Sequence, residues 1–290
     1  MPSRDEKVQR EFGDSVDPPP RLSVILAGVL VAMAVANVWL LLLPNFGVLA
    51  AIVEIALLGA FIWWAHGGGP PQSMRAVRLR AFQRVRLSQR EMLWGLVAAL
   101  SFAVAVHASL VLLFRVIPYP TAAFRQGYDL SFIPTQQMRW LAVVISAASA
   151  AICEEIGFRG FVQQPIESRY RVPVAVLTSS VLFTAIHLTK AWALLGMIPI
   201  VFGAGVLLGL MAWSAQSLIP CMIGHFVMDV GLFAYWWTGI AGSFSQRPIS
   251  ETGVDRTLLI TSCIFAVSLL IVLIAIFKLL QERLLSATRS

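Results

Sequence analysis

The sequence predicts an all-α polytopic membrane protein, a bundle of about eight transmembrane helices. Three observations carry this. Of 290 residues, 58% are hydrophobic and 13% charged, with a mean hydropathy of +0.78. A soluble domain carries roughly 25% charged and 45–50% apolar residues. The apolar residues fall into runs near the length that crosses a bilayer, about 20 residues. Proline, glycine and charged residues gather between those runs, where helices end.

In chain order, residues 1–21 are polar and charged, include Pro18-Pro19-Pro20, and read as a disordered cytoplasmic tail. Leu22 to Leu43 is the first span. Ala34-Val35-Ala36 inside it resembles a signal-peptidase site, but the apolar run is too long for a signal h-region, so an uncleaved helix is expected. Pro44-Asn45 turns the chain. Val48 to Ala65 returns carrying Glu54, which reads as an inter-helix hydrogen-bonder. Gly67-Gly68-Gly69-Pro70-Pro71 then breaks the helix. Arg75, Arg78, Arg80, Arg84, Arg86 and Arg90 follow, with Val77, Leu79, Val85 and Leu87 between them. This alternation lacks a 3.6 period and argues against a clean amphipathic helix. Each arginine near an anionic leaflet contributes about 1 kcal/mol, so the segment is expected on the cytoplasmic surface.

Met92 to Phe114 forms the third span, and His107 in it reads as a satisfied helix–helix hydrogen-bonder. Tyr119, Phe124, Tyr128 and Phe132 in the loop from Pro118 to Pro134 suit an interfacial aromatic anchor. The fourth span starts near Arg139. Pro173, at a favoured first helical position, opens the fifth, which ends near Leu188. Ala193 to Trp213, Leu218 to Trp237 and Thr257 to Leu280 complete the eight. The chain thus divides into the tail, three helices with the basic loop over 22–138, a core over 139–238, and a last helix with its tail over 239–290.

With the termini inside, sixteen of the twenty-two Lys and Arg residues fall on the cytoplasmic side and six outside. The positive-inside rule therefore orients both termini to the cytoplasm, in a bacterial cytoplasmic membrane. The net charge of +7 is that bias and not a nucleic-acid surface. Cys153, Cys221 and Cys263 lie far apart in apolar runs, which suggests neither disulfides nor a thiolate metal site.

The chemistry centres on Ala151-Ile152-Cys153-Glu154-Glu155-Ile156-Gly157-Phe158-Arg159-Gly160, after an uncharged run from Trp140. A charged side chain at mid-helix costs about 2.5–3.5 kcal/mol on insertion scales, so carboxylates here point to function. Glu155 and Arg159 are i, i+4 and can pair. Glu154 is rotated about 100° away with no partner on its own helix. The plainer alternative is a helix end reaching headgroups. Further on, Phe183 and His187 share a face of the fifth span, and His225 and Asp229 share one of the seventh. An unbroken hairpin between the fourth and fifth spans sets Glu154 level with His187. By the same count His187 lies near the outer end of its span and His225 about two turns into its own. They meet only if the hairpin projects beyond the bilayer.

Glu154-Glu155-x-x-Phe158-Arg159-Gly160, Phe183-x-x-x-His187 and His225-x-x-x-Asp229 resemble the three motifs of the CPBP family, formerly the Abi family. It groups type II CAAX prenyl endopeptidases with bacteriocin-processing and self-immunity proteins. The resemblance covers about a third of the chain, from Trp140 to Trp237. It implies an eight-helix bundle or close variant, with the residue matching Glu154 activating water and His187, His225 and Asp229 completing the site. Asp229 stands where the prenyl endopeptidases carry Asn, which weakens the prenyl-substrate expectation and not the family.

The residues support that chemistry independently. Peptide hydrolysis needs a base for water, and Glu154 is the candidate. His187 and His225 can position water, stabilise an oxyanion or bind metal, and Asp229 can fix a histidine tautomer. Arg159 either pairs with Glu155, the favoured reading, or meets a substrate carboxylate. Phe183 supports the site. A divalent cation, zinc foremost, held by His187, His225 and Asp229 is one arrangement; a metal-free Glu/His site is the other, and spacing permits both. The expected function is an intramembrane endopeptidase acting on membrane-associated proteins or peptides, with the bilayer and no nucleic acid as partners. A non-proteolytic immunity or scaffold protein on the same fold is the alternative. A proton-coupled transporter would call for half-helices or an inverted repeat, which the sequence does not display.

Overall fold

The structure, a computed structural model, describes residues 22–46, 48–82, 87–125, 128–190 and 196–287. The tail over 1–21, Arg84, Arg86 and the expected start of the sixth span at Ala193 lie outside these residues. All regular elements among the described residues are helical. The helices are α1 (Leu22–Phe46), α2 (Val48–Ala65), α3 (Arg75–Phe82), α4 (Gln89–Val116) and α5 (Thr121–Arg125), then α6 (Gln136–Glu155). A π-helical segment, Ile156–Gln163, joins α6 to α7 (Gln164–Glu167). Then come α8 (Val172–His187), α9 (Ile198–Ala215) and α10 (Ile219–Gly231), which runs into a second π segment, Leu232–Trp237. The last are α11 (Ile249–Thr252) and α12 (Arg256–Ala287).

Among the described residues five stretches are long and apolar enough to cross a membrane: Gln89–Val116, Gln136–Glu167, Ile198–Ala215, Ile219–Trp237 and Arg256–Leu285. Shorter apolar helices, Ile25–Val38, Leu49–Ala65 and Val172–His187, stand where the first, second and fifth spans were expected. The helix starts follow from sequence. Ser88 and Glu91 form a capping box on α4, with the Ser88 N–H donating to the Glu91 carboxylate at 2.7 Å. Thr135 caps α6, and α8, α9 and α10 each carry proline in the first turn. The bundle centres on α4, against which α12 and α10 pack, while α6 lies between α10 and α1. Small residues allow the close approach that drives helix association in lipid. A Cβ on Gly224 would stand 3.2 Å from the Ala99 Cα.

Three expectations need correction. The arginine-rich segment does form a helix, α3, and Arg78 is not on the surface. It is buried and donates to the carbonyls of Trp64 at 2.9 Å and Gly69 at 3.0 Å, with its guanidinium 4.8 Å from the Trp64 ring centroid. Helix ends leave carbonyls without donors, and Arg78 supplies them at the end of α2, while Arg75, Arg80 and Arg90 are exposed. Secondly, the loop aromatics do not all anchor at an interface. Phe124 is buried, Tyr119 donates its hydroxyl to the Trp236 carbonyl, and Tyr128 stacks on Trp237 at 4.6 Å between centroids, leaving Phe132 exposed. Thirdly, the hairpin does not wind as α-helix throughout, because a π segment follows Glu155, although Glu154 and His187 still line one cavity as the hairpin count expected. Within that segment Arg159 and Gln163 reach carbonyls of α9, Gly205 at 3.0 Å and Gly209 at 2.9 Å.

Two expectations hold. His107 Nε2 donates to the Met228 carbonyl at 3.2 Å and Nδ1 accepts from Trp236 Nε1 at 3.1 Å, so the ring bonds across helices through both nitrogens. Ser149 donates to Glu54 Oε1 at 2.7 Å, joining α6 to α2.

Candidate active site

The two adjacent glutamates at the end of α6 diverge, as a 100° step requires. Glu155 is fully buried, and its Oε1 accepts from Arg159 Nη1 at 3.0 Å and from His225 Nδ1 at 2.8 Å. Arg159, equally buried, spends Nη2 on the Gly205 carbonyl and lays its guanidinium 4.6 Å from the Phe183 ring centroid. The expected Glu155–Arg159 pair is present, with both Nη groups engaged inside the protein. Its extension to His225 was not expected. Asp229 stands on the other side of that ring, with Oδ2 3.4 Å from Nε2. Glu155 thus takes the Nδ1–H of His225, while Asp229 stands beside Nε2. The sequence hid this because Glu155 and His225 lie seventy residues apart.

Glu154 has a different environment. Its side chain is 13% exposed against 0% for Glu155, and its Oε2 lies 3.8 Å from His225 Nε2 and accepts no hydrogen bond. His187 donates Nδ1–H to the Phe183 carbonyl at 2.7 Å, which turns Nε2 to the far side of the ring. Phe183 holds the group together. Its ring lies 5.4 Å from Phe158, 4.7 Å from His187 and 6.0 Å from His225. Glu154, His187, His225 and Asp229 all line one cavity of about 100 Å³, the meeting that helix counting left open. At 10–15 Å³ or more per water, it has room for several.

Other side chains reach the cavity unforeseen: Tyr128, Lys190 and Asn37. Lys190 places Nζ 5.9 Å from the Tyr128 ring centroid, and burial pushes the Tyr128 phenol above its usual range. Tyr128 gave no sign in sequence, because an aromatic beside a span has the composition of an interfacial anchor. Asn37 did leave one, as an amide inside an apolar run.

For a metal, His225 Nε2 and Asp229 Oδ2 are spaced as two ligands of one ion about 2.0–2.2 Å from each would be. Among the described residues no group of three or more His, Cys, Asp and Glu side chains is placed to hold an ion. The donor set as it stands fits two ligands, short of the three protein ligands of catalytic zinc.

Residues 136–231 match the family model described as Rce1-like, type II CAAX prenyl endopeptidase. The matched stretch holds all three motifs on which the CPBP resemblance rests. No curated protein and no solved structure matches the chain.

Proposed function

We propose that this chain, an integral membrane protein with an Rce1-like domain of the type II CAAX prenyl endopeptidase family over residues 136–231, is an active intramembrane peptidase whose base is Glu154. The observation that carries the reading is the contrast between two adjacent carboxylates. Glu155 is fully buried and bound on Oε1 by Arg159 and His225, whereas Glu154 is 13% exposed and lines the cavity.

Glu154 takes a proton from a cavity water, and the resulting hydroxide attacks the scissile carbonyl carbon. The proton passes to the leaving amine as the C–N bond breaks, so water is split between the new carboxyl group and the new amine. His187, whose Nδ1 is held by Phe183, aligns the water. His225, with a proton on each ring nitrogen, stabilises the oxyanion through Nε2–H, while Glu155 holds Nδ1–H and Asp229 stands beside Nε2. Arg159 and Phe183 position these groups and do not touch substrate. The proposed mechanism routes no step through a metal, because His225 and Asp229 supply only a pair of ligands.

We further propose eight spans, the three shorter apolar helices included, with both termini and the Gly67–Arg90 loop cytoplasmic in a bacterial membrane. An impermeant thiol reagent should fail to label a cysteine at position 80 in intact cells. A non-proteolytic immunity or scaffold protein on the same fold predicts that the site residues are dispensable. Processing of a membrane-anchored reporter separates the two. The wild-type chain should cut it, and Glu154→Gln should lower the rate about 10²–10⁴-fold with unchanged thermal stability. Equal processing by both proteins removes Glu154 from the role of base.

A further inference from the structure

Asn37 is the single Asn, Gln, Asp, Glu, Lys or Arg between residues 22 and 43, in an otherwise apolar stretch of α1. Polar side chains in such helices usually bond across to a neighbouring helix, as Glu54 and His107 do here. Asn37 does not. Its Nδ2 turns back to the Met33 carbonyl of its own helix at 2.8 Å, and its side chain is exposed. Asn37 and Ala36 nevertheless line the cavity that holds Glu154 and His187. A residue that is both exposed and part of the cavity wall stands at a mouth, and this mouth lies within α1 (Leu22–Phe46), the helix proposed above as the first span, rather than at its end.

Opposite, α6 lines the same cavity with Ser146, Ala150 and Glu154, one residue per turn. The first two are small, so they leave room beside α1 along a track that ends at the base. A chain entering here meets no bulk water. Its backbone must be unwound at the scissile bond, because an intact helix has its carbonyls engaged with N–H groups four residues on. Unwinding leaves N–H and C=O groups unsatisfied in lipid, each costing several kcal/mol. A carboxamide carries the donor and acceptor that complement a peptide group.

We infer that Asn37 marks a lateral mouth of the cavity and pairs with the extended backbone of a bilayer-embedded substrate segment. The substrate class follows: apolar membrane-inserted segments with helix-breaking residues at the cleavage site. This rests on the peptidase reading, so the test separates binding from cleavage.

The probes are two fluorophore-labelled peptides of bilayer-spanning length in nanodiscs, one leucine-rich with a central Gly-Pro pair, the other all leucine. In the Glu154→Gln background the Gly-Pro peptide should bind more tightly than its control. Asn37→Leu should weaken that binding about tenfold, the loss of one to two hydrogen bonds, and Asn37→Gln should hold it within about threefold. Both Asn37 variants should keep the parent's thermal stability, because only a bond within α1 changes. Mass spectrometry on the wild-type chain then reads cleavage. A Gly-Pro peptide that binds in this pattern and stays uncut supports Asn37 and removes the peptidase reading. Binding or cleavage indifferent to Asn37→Leu overturns the inference, as does failure of both peptides to bind.

Discussion

Glu155→Gln is the sharpest probe of the buried network. The substitution keeps an acceptor where Oε1 now serves Arg159 and His225, so shape and hydrogen-bond count are nearly preserved. Only the charge is lost. Arg159, at 0% exposure, is then a buried cation without its paired carboxylate, and breaking a buried pair from one side costs about 3–5 kcal/mol. At roughly 2–4 °C per kcal/mol for 150–250 residues, and somewhat less for the 290 residues here, the melting temperature in detergent should fall by about 5–15 °C. Tryptophan fluorescence can follow it. Adding Arg159→Met removes the stranded charge and should restore most of the loss, since apolar replacement of a whole buried pair is often neutral. Activity should stay low in the double variant, because His225 Nδ1 still lacks its carboxylate. A single variant melting within about 2 °C of wild type, or a double variant no more stable than the single one, would refute the assignment of Glu155 as the counter-charge of Arg159.

Gly231→Ala would place a Cβ 2.4 Å from His107 Nε2. That ring is pinned by Met228 and Trp236, so overpacking should cost about 1–3 kcal/mol in thermal unfolding. Asp255 is held below the usual carboxylate range by the Leu258 N–H and by Arg115. Its stabilising contribution is therefore present above about pH 4 and is lost as pH falls through its lower folded value. Asp255→Asn should flatten the acid side of a plot of melting temperature against pH, and an unaltered acid limb would show that the pair does not stabilise the fold. Treatment with 1,10-phenanthroline should leave peptidase activity intact, whereas loss of activity restored by zinc would return His225 and Asp229 to the role of metal ligands.

The sequence by itself determined the class of the protein, most of the long helices among the described residues and the divergence of the two adjacent acids. Those depend on local quantities: run length, prolines at helix starts, and the rotation between adjacent residues that separates Glu154 from Glu155. It also paired Glu155 with Arg159, because an i, i+4 contact is set within one helix. Tertiary structure alone decided what depends on distant segments meeting. Glu155 takes Nδ1 of His225, Arg78 turns inward to the end of α2, and Tyr128 leaves the interface for the cavity. No one-helix periodicity encodes these, since each side chain answers to carbonyls or rings supplied by another part of the chain. The π segment after Glu155 is the clearest instance. Gly157 and Gly160 lower its helix propensity without specifying its winding, and the widened winding is accompanied by Arg159 and Gln163 bonding to the α9 backbone.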